Sequence, residues 1–363
     1  KYIIRLKSPG NFEHKIILND LVRGKIEMPE NDIDVVLIKG DGLPIYHFAH
    51  VIDDHLMRTT HVLRGEEWIS SYPIHTQLFD ILRFDEPKYG HLGVVMKVDD
   101  TGARRKLSKR KDPEAAVSYY HEKGIPIEAV KLYLLTIANS NFEAWYDANP
   151  CASIYDFKFD FKKMSESGSL FDVEKLNNIS KNYISKLKAT EVYENLKTFT
   201  KEYDKEFFEI IDKNKEYTIN ILNIEREQKK PRKDYASYSD IRNHIWYMYD
   251  ELFNNEKYEF QKINDMKEIC NLLNEYINNY YNEDDDKETW FNKIKELCDN
   301  TGYVSNMKEY KENPERFKGS VADVSTVIRV AWTTKSMTPD LYEIMKLLGK
   351  DRIIKRINIL NVD

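Results

Sequence analysis

Apolar residues change their spacing along this chain, and the change divides it. Before Tyr46 they come in short β-branched or aliphatic runs, Tyr2–Lys7, Lys15–Asn19 and Asp34–Lys39. Pro9-Gly10, the polar stretch near Pro29 and the turn signal Asp41-Gly42 separate these runs, so the pattern predicts strands. From Tyr46 to about Arg83 it turns to helix, strand, helix. His61–Gly65 is a compact apolar strand closed by glycine, and Glu66-Glu67-Trp68 opens a helix with acidic residues at the positive end of its dipole. Ser71 and Pro73, then Ile74, Leu78, Ile81 and Leu82, give the next helix. Gly93–Met96 is another short strand, followed by the charged loop Lys97–Arg105. Alternation of this kind belongs to α/β domains.

After residue 113 the pattern is mostly helical. Pro126 followed by Ile127, Val130, Leu134 and Ala138 reads as a first-turn proline and an amphipathic stripe. Ser169 precedes a helix carrying Phe171, Val173, Leu176 and Ile179. Residues 195–300 are rich in lysine, glutamate and tyrosine at helical spacing, Glu283–Asp286 reads as an acidic loop, and the last helix pair stops near Gly349. The fold class expected is therefore α/β, then all-α.

Composition adjusts this picture little. A chain of 363 residues suggests two or three domains, and 41% hydrophobic with 32% charged residues suits a soluble protein with real cores. Apolar runs such as Leu132–Ala138 are too short to span a bilayer, so no membrane partner is expected. The opening KYIIRLK lacks the plan of a signal peptide. Cys151, Cys270 and Cys298 form no CxxC pair and cannot build a structural zinc site by themselves; a reduced, cytoplasmic setting follows. A net charge of −6 argues against indiscriminate nucleic-acid binding but leaves local basic patches open.

Two constellations carry candidate chemistry. In Lys106-Leu107-Ser108-Lys109-Arg110, two lysines three apart flank a hydroxyl and can reach a polyphosphate together, and phosphoryl chemistry chiefly needs positive charge where negative charge builds up. A solvated basic loop, or one touching RNA phosphates, reads equally from these residues. The second is Tyr46-His47-Phe48-Ala49-His50, Asp53-Asp54-His55, Thr60-His61 and Arg64-Gly65-Glu66-Glu67-Trp68. Its histidines fit surface or packing roles, or with Asp54 a metal site near helical spacing. Asp53 and Asp54 read as capping residues or bonds to backbone amides. Arg64 ends a strand, where ligands collect in open α/β sheets, and an arginine fork suits a carboxylate.

The string DGLPIYHFAHVIDDHLMRTTHVLRGEEWISSYPIH resembles the second half of the catalytic domain of bacterial glutamyl-tRNA synthetases, class I enzymes. KLSKR is similar to their version of the KMSKS loop. GSLFDVEKL, from Gly168 to Leu176, resembles their stem-contact segment. Val327–Thr333 and Leu347–Lys350 resemble their anticodon-binding domain. The ordered matches cover roughly residues 1–185 and 303–357. This resemblance implies the C-terminal half of a Rossmann-like catalytic domain followed by helical domains. Residues 1–45 would end the acceptor-stem-binding insertion, 46–112 complete the nucleotide-binding domain, 113–190 form the stem-contact domain and 191–363 the anticodon-binding domain.

The resemblance also implies roles. Tyr46, His50 and Arg64 would hold L-glutamate, with Arg64 reading its side-chain carboxylate. Trp68 would border the adenylate pocket. Glu67, Val95, Lys106, Leu107, Ser108, Lys109 and Arg110 would meet ATP, with Lys106 and Lys109 as the catalytic pair and Mg²⁺ arriving with the nucleotide. The expected function is ATP-dependent attachment of glutamate to tRNA(Glu) through a glutamyl-adenylate, by a monomer. The family's HIGH-like motif does not precede Lys1, so the chain reads as lacking that segment and as inactive alone; the alternative is a non-catalytic tRNA-binding module of the same fold. Arg226, Lys229, Lys230, Arg232 and Lys233 form a candidate anticodon-side patch, with Tyr235 and Tyr238 as stacking partners.

Overall fold

A computed structural model describes residues 2–150, 152–253 and 257–360; Cys151 and Lys1 lie outside the described residues. The chain divides into two compact units, Lys1–Tyr119 with Glu128–Leu176, and Tyr120–Ile127 with Asn177–Asp363.

In the first unit, β1 (Ile4–Arg5) pairs antiparallel with β4 (Val36–Ile38). Strands β2 (Lys15–Asp20) and β3 (Gly24–Pro29) form a hairpin with Asp20 opposite Gly24. Helix α1 (Tyr46–Leu56), β5 (His61–Gly65), α2 (Tyr72–Leu82) and β6 (Lys88–Leu92) follow. The sheet runs β3-β2-β6-β5, and β6 is parallel to both β2 and β5. Leu6, Leu18, Val51, Tyr72, Leu78, Phe79 and Tyr89 make its core. A proline in the first turn opens α2, and its buried face runs Tyr72, His75, Leu78, Phe79, a helical spacing.

A second sheet, in the order β8-β7-β9, contains β7 (Val95–Val98), β8 (Arg104–Lys106) and β9 (Ser169–Leu170). It requires two glycines to meet: a Cβ on Gly93 would lie 2.4 Å from the Gly168 nitrogen, and one on Gly168 2.0 Å from the Val94 oxygen. Gly168 also has φ +83°, which favours glycine. Helices α3 (Val117–Glu122), α4 (Ile127–Ala138), α5 (Phe142–Ala148) and α6 (Val173–Lys186) complete this part of the chain.

The second unit is helical: α7 (Ala189–Tyr203), α8 (Lys205–Lys213), α9 (Lys215–Asn223), α10 (Tyr238–Ile245), α11 (Met266–Glu275), α12 (Lys287–Thr301), α13 (Met307–Glu312), α14 (Val321–Thr333) and α15 (Leu341–Leu360). Acidic and hydroxyl caps start several of them: Asp204 accepts from Phe207 N, Asp286 from Thr289 N, and Ser320 with Asp323 forms a capping box. Its core gathers Tyr193, Phe207, Tyr276 and Trp332, all fully buried. No helix among the described residues is long and apolar enough to cross a membrane.

Several sequence expectations need correction. The polar stretch before Pro29 is strand β3, in which Ile26 and Met28 turn to the core while Lys25 and Glu27 face out. The charged loop Lys97–Arg105 is largely a hairpin, with Lys97 opposite Arg105. Ser169 is in a strand, and α6 starts only after Asp172, whose carboxylate accepts from Lys175 N at 3.0 Å. Gly349 has φ 73° and breaks α15, yet the chain resumes its helix to Leu360.

Candidate active site

Strand register brings the first half of the site together. Arg64 on β5 stands opposite His91 on β6, and Val62 opposite Tyr89. The guanidinium therefore lies along its neighbour: Nε donates to His91 Nε2 at 2.9 Å, and its carbon sits 4.7 Å from the Tyr89 ring centre. Nη1 donates to His75 Nδ1 at 2.9 Å and Nη2 to the Trp68 carbonyl at 3.4 Å. Arginine has five N–H donors, three of which these bonds use. Burial lowers the Arg64 pKa, offset by Tyr89 and Tyr46, whose hydroxyl also bonds the guanidinium. An arginine stays charged regardless.

Because a guanidinium only donates, the histidines' protons are fixed around it. His75 Nδ1 accepts from Arg64, so His75 Nε2 carries the hydrogen and donates to His47 Nδ1 at 2.9 Å. His91 accepts through Nε2 and donates from Nδ1 to Asp20 Oδ2 at 2.6 Å; both residues are buried. His50 donates from Nδ1 to Asp54 Oδ2 at 2.6 Å, which leaves its Nε2 to accept from the Tyr89 hydroxyl at 2.8 Å. Burial, then the neighbouring His50 and Arg64 charges, push the His75 pKa down to about 2. Burial, then Arg64, lowers His47, and burial lowers His50 against the opposing pull of Asp54. Asp54 thus orients a histidine instead of bonding backbone amides. These rings converge on an arginine, not on a cation site; among the described residues no group of three His, Cys, Asp or Glu side chains is placed to hold a metal.

Aromatic rings wall the approach. Tyr46, half exposed, lies 4.4 Å from Trp68 and stacks on His50 at 5.7 Å, measured between ring centres. Beyond Trp68's neighbour Glu67, the basic loop begins: Lys106 Nζ is 3.2 Å from Glu67 Oε1. The loop's base is tied by one buried carboxylate. Asp112 takes both Arg105 terminal nitrogens at 2.6 Å each and the Ser108 amide at 2.8 Å. Arg105's hydrogen bonds and the Ser108 amide hold the Asp112 pKa well below the usual carboxylate range. Leu107 N donates to the Val95 carbonyl at 2.8 Å, so the Val95 backbone serves to anchor the loop. At the tip, Lys109 and Arg110 are exposed and carry no partner among the described residues.

The structure thus groups Tyr46, His50, Arg64 and Trp68 around one guanidinium, and Glu67, Lys106, Leu107 and Ser108 around the loop's base. Sequence reasoning missed Asp20, His75, Tyr89, His91 and Asp112. His75 left a trace, since it falls on the same helical face as Tyr72, Leu78 and Phe79; Asp20 and His91 left none at their separation of 71 residues.

The basic patch in the second unit needs correction. Arg226 is buried, its Nε bonded to the Leu222 carbonyl and its Nη1 to those of Ile184 and Leu187, so it closes helix ends. Arg232 pairs with Asp234 at 2.5 Å and Glu225 at 3.5 Å. Tyr235 and Tyr238 are buried too and offer no face for a base. Lys229, Lys230 and Lys233 remain exposed.

Comparison with known proteins agrees with this division. Residues 1–178 match the family of class I tRNA synthetases (E and Q), catalytic domain, and residues 191–360 match an anticodon-binding domain. The chain is 48% identical over 359 residues to a glutamate–tRNA ligase of Clostridium perfringens, strain 13, and 46% identical over 366 residues to one of Clostridium beijerinckii. Residues 1–178 thus belong to the class I tRNA synthetases, E and Q type, and residues 191–360 to the anticodon-binding domains. Those alignments take in 98% and 100% of the chain but only 65% and 66% of the two relatives. The crystal structure of a glutamate–tRNA ligase from Elizabethkingia meningosepticum shares the synthetase fold, with a TM-score of 0.70 at 23% identity, covering 98% of this chain and 67% of the other. The fold is therefore part of a class I catalytic domain followed by an anticodon-binding domain.

Proposed function

We propose that the whole protein joins glutamate to tRNA(Glu) through a glutamyl-adenylate, and that this chain supplies the clamp for glutamate's side chain and the loop for ATP's phosphates. One observation carries the reading: Arg64 is held at a strand's C-terminal end beside the Tyr46 hydroxyl, with one N–H left after its bonds to His91, His75, Trp68 and Tyr46. That N–H and the Tyr46 O–H, whose oxygen accepts from Arg64, offer two donors to a carboxylate's two oxygens, whereas the amide of glutamine would turn N–H toward one of them. The glutamate–tRNA ligases among the relatives support the choice of amino acid.

In the proposed reaction a glutamate α-carboxylate oxygen attacks ATP's α-phosphorus and pyrophosphate leaves; a ribose hydroxyl at the tRNA's 3′ end then attacks the carbonyl and AMP leaves. Lys109, unpartnered at the loop's tip, and Lys106, once released from Glu67, neutralise the charge that develops on the phosphates. Mg²⁺ enters with ATP, held by phosphates and water. Tyr46 and Trp68 form the wall against which substrate packs. Lys229, Lys230 and Lys233 are the remaining candidates for contacts with RNA phosphates.

Glutamate-dependent ATP–pyrophosphate exchange by the full-length protein tests the reading. Exchange with glutamate and not glutamine is expected; no exchange in the Arg64→Ala protein is expected, and full exchange there would overturn the assignment.

A further inference from the structure

We infer that Asp20, His91 and His75 are positioning residues for the acidic substrate: both histidines hold Arg64 by fixed lone pairs, and Asp20 fixes which nitrogen of His91 provides one. This rests on the reading that Arg64 takes the glutamate side chain.

Asp20 is buried at the end of β2, yet it stays anionic because N–H groups surround it. Oδ1 accepts from the Val22 and Arg23 amides at 2.9 Å each, and Oδ2 from the His91 amide at 3.0 Å and from His91 Nδ1 at 2.6 Å. Burial would raise its pKa, but the bonds from His91 and those amides outweigh it, and the net direction is down. A carboxylate only accepts, so His91 must carry its hydrogen on Nδ1 and turn the bare Nε2 to Arg64. His75 reaches the same state from the other side, because His47 Nδ1 takes its Nε2 hydrogen. The guanidinium is thereby gripped at Nε and Nη1 before ligand arrives, and little rotamer freedom is left to lose on binding.

Moving the hydrogen of either ring to the nitrogen that faces Arg64 reverses the arrangement, setting N–H against N–H beside a charged guanidinium. The groups that face His75 are Arg64 on β5, Tyr46, His47 and His50 on α1, and Tyr89 and His91 on β6. Those that face His91 are Asp20 on β2, Arg64, Tyr72 on α2 and Tyr89. Among the described residues Asp20 is the one anion bonded to either ring, and it sits on the far side of His91 from Arg64. Losing either lone pair is therefore expected to weaken glutamate binding, with ATP affinity unmoved.

The test uses the full-length protein and measures dissociation constants for glutamate and ATP. Asp20→Asn, of the same shape, offers N–H in place of an acceptor and drives the hydrogen of His91 to Nε2. It is expected to weaken glutamate about tenfold or more with ATP unchanged, the kind of tautomer effect known for an aspartate behind a histidine. His91→Gln keeps an acceptor near Nε2; it is expected to bind glutamate more tightly than His91→Leu. Ring-nitrogen NMR of the unmodified protein reads the tautomers without any substitution, with His91 hydrogen-bearing at Nδ1 and His75 at Nε2. The opposite tautomers, or glutamate affinity unchanged in Asp20→Asn and His91→Leu while Arg64→Ala weakens it, would overturn the inference and leave the site assignment standing. No effect of Arg64→Ala would remove the assignment itself.

Discussion

The two units bury different kinds of surface. In the helical unit, Tyr193, Phe207, Tyr276 and Trp332 pack among aliphatic residues, and the buried Arg226, Ser237 and Ser320 serve helix ends. In the sheet-bearing unit the aliphatic core is small, and beside it lie His75, His91 and Asp20, all buried and all bonded into one network around Arg64. Apolar burial is non-directional and tolerates pH; a hydrogen-bonded network fixes geometry but fails when one proton is misplaced. The helical unit is built for stability, the other for placing one charge.

Substitutions should separate these designs. The largest effect on folding is expected from Phe207→Ala, a fully buried ring on α8, at about 3–5 kcal/mol of the helical unit's stability by calorimetry, with glutamate affinity unchanged. Arg64→Lys keeps the charge and loses the fork, and about 10²-fold lower kcat/KM for glutamate is expected in exchange kinetics, roughly 2.7 kcal/mol of transition-state binding, with thermal unfolding of the helical unit unmoved. Lys109→Ala, exposed and unpartnered, should cost about 10-fold or more in exchange rate and nothing in melting temperature. Arg232→Ala removes a surface pair and should change stability by under about 1 kcal/mol.

Acid sharpens the contrast. A histidine whose pKa is lowered on folding binds fewer protons in the native state than in the unfolded one, so stability falls as pH drops below the unfolded value. For His75 the window runs from about 6.5 downward to about 2, and His47 and His50 shift the same way. Between pH 6.5 and 4 the sheet-bearing unit should lose tertiary signal first, measured by hydrogen exchange along both units. Equal loss in both would contradict the comparison.

What the sequence revealed follows from the same difference. Strand β5 was legible because His61–Gly65 is a short apolar run closed by glycine, and Arg64 stood out by ending it. The helical unit was legible from spacing. Strands β3, β6 and β8 were not, since Lys25, Glu27, Lys88 and Arg104 interrupt their apolar positions and pairing alone makes them strands. Helix α2 was read with Ile74 and Ile81 inward, but Ile81 is 43% exposed and the buried face turns through His75 instead. A buried histidine looks polar in such a pattern, and only its place on the face of Tyr72, Leu78 and Phe79 marks it. Asp20 with His91, and Arg105 with Asp112, are partners made by folding, with no local mark. Arg226 misled in the opposite sense: a cation within a basic run looked like an RNA contact and is a clasp for helix ends.

The pairing of Arg64 with His91 across β5 and β6 has a consequence for how such a pocket can change. Successive side chains of a strand point to opposite faces, so a slip of one residue between these strands would put Leu63 or Gly65 opposite His91 and send the guanidinium through to the other side of the sheet. The placing of this charge is thus a property of alignment as much as of residue type: inserting a single residue into the strand ahead of Arg64 would turn the guanidinium away while leaving every contacting side chain in the sequence.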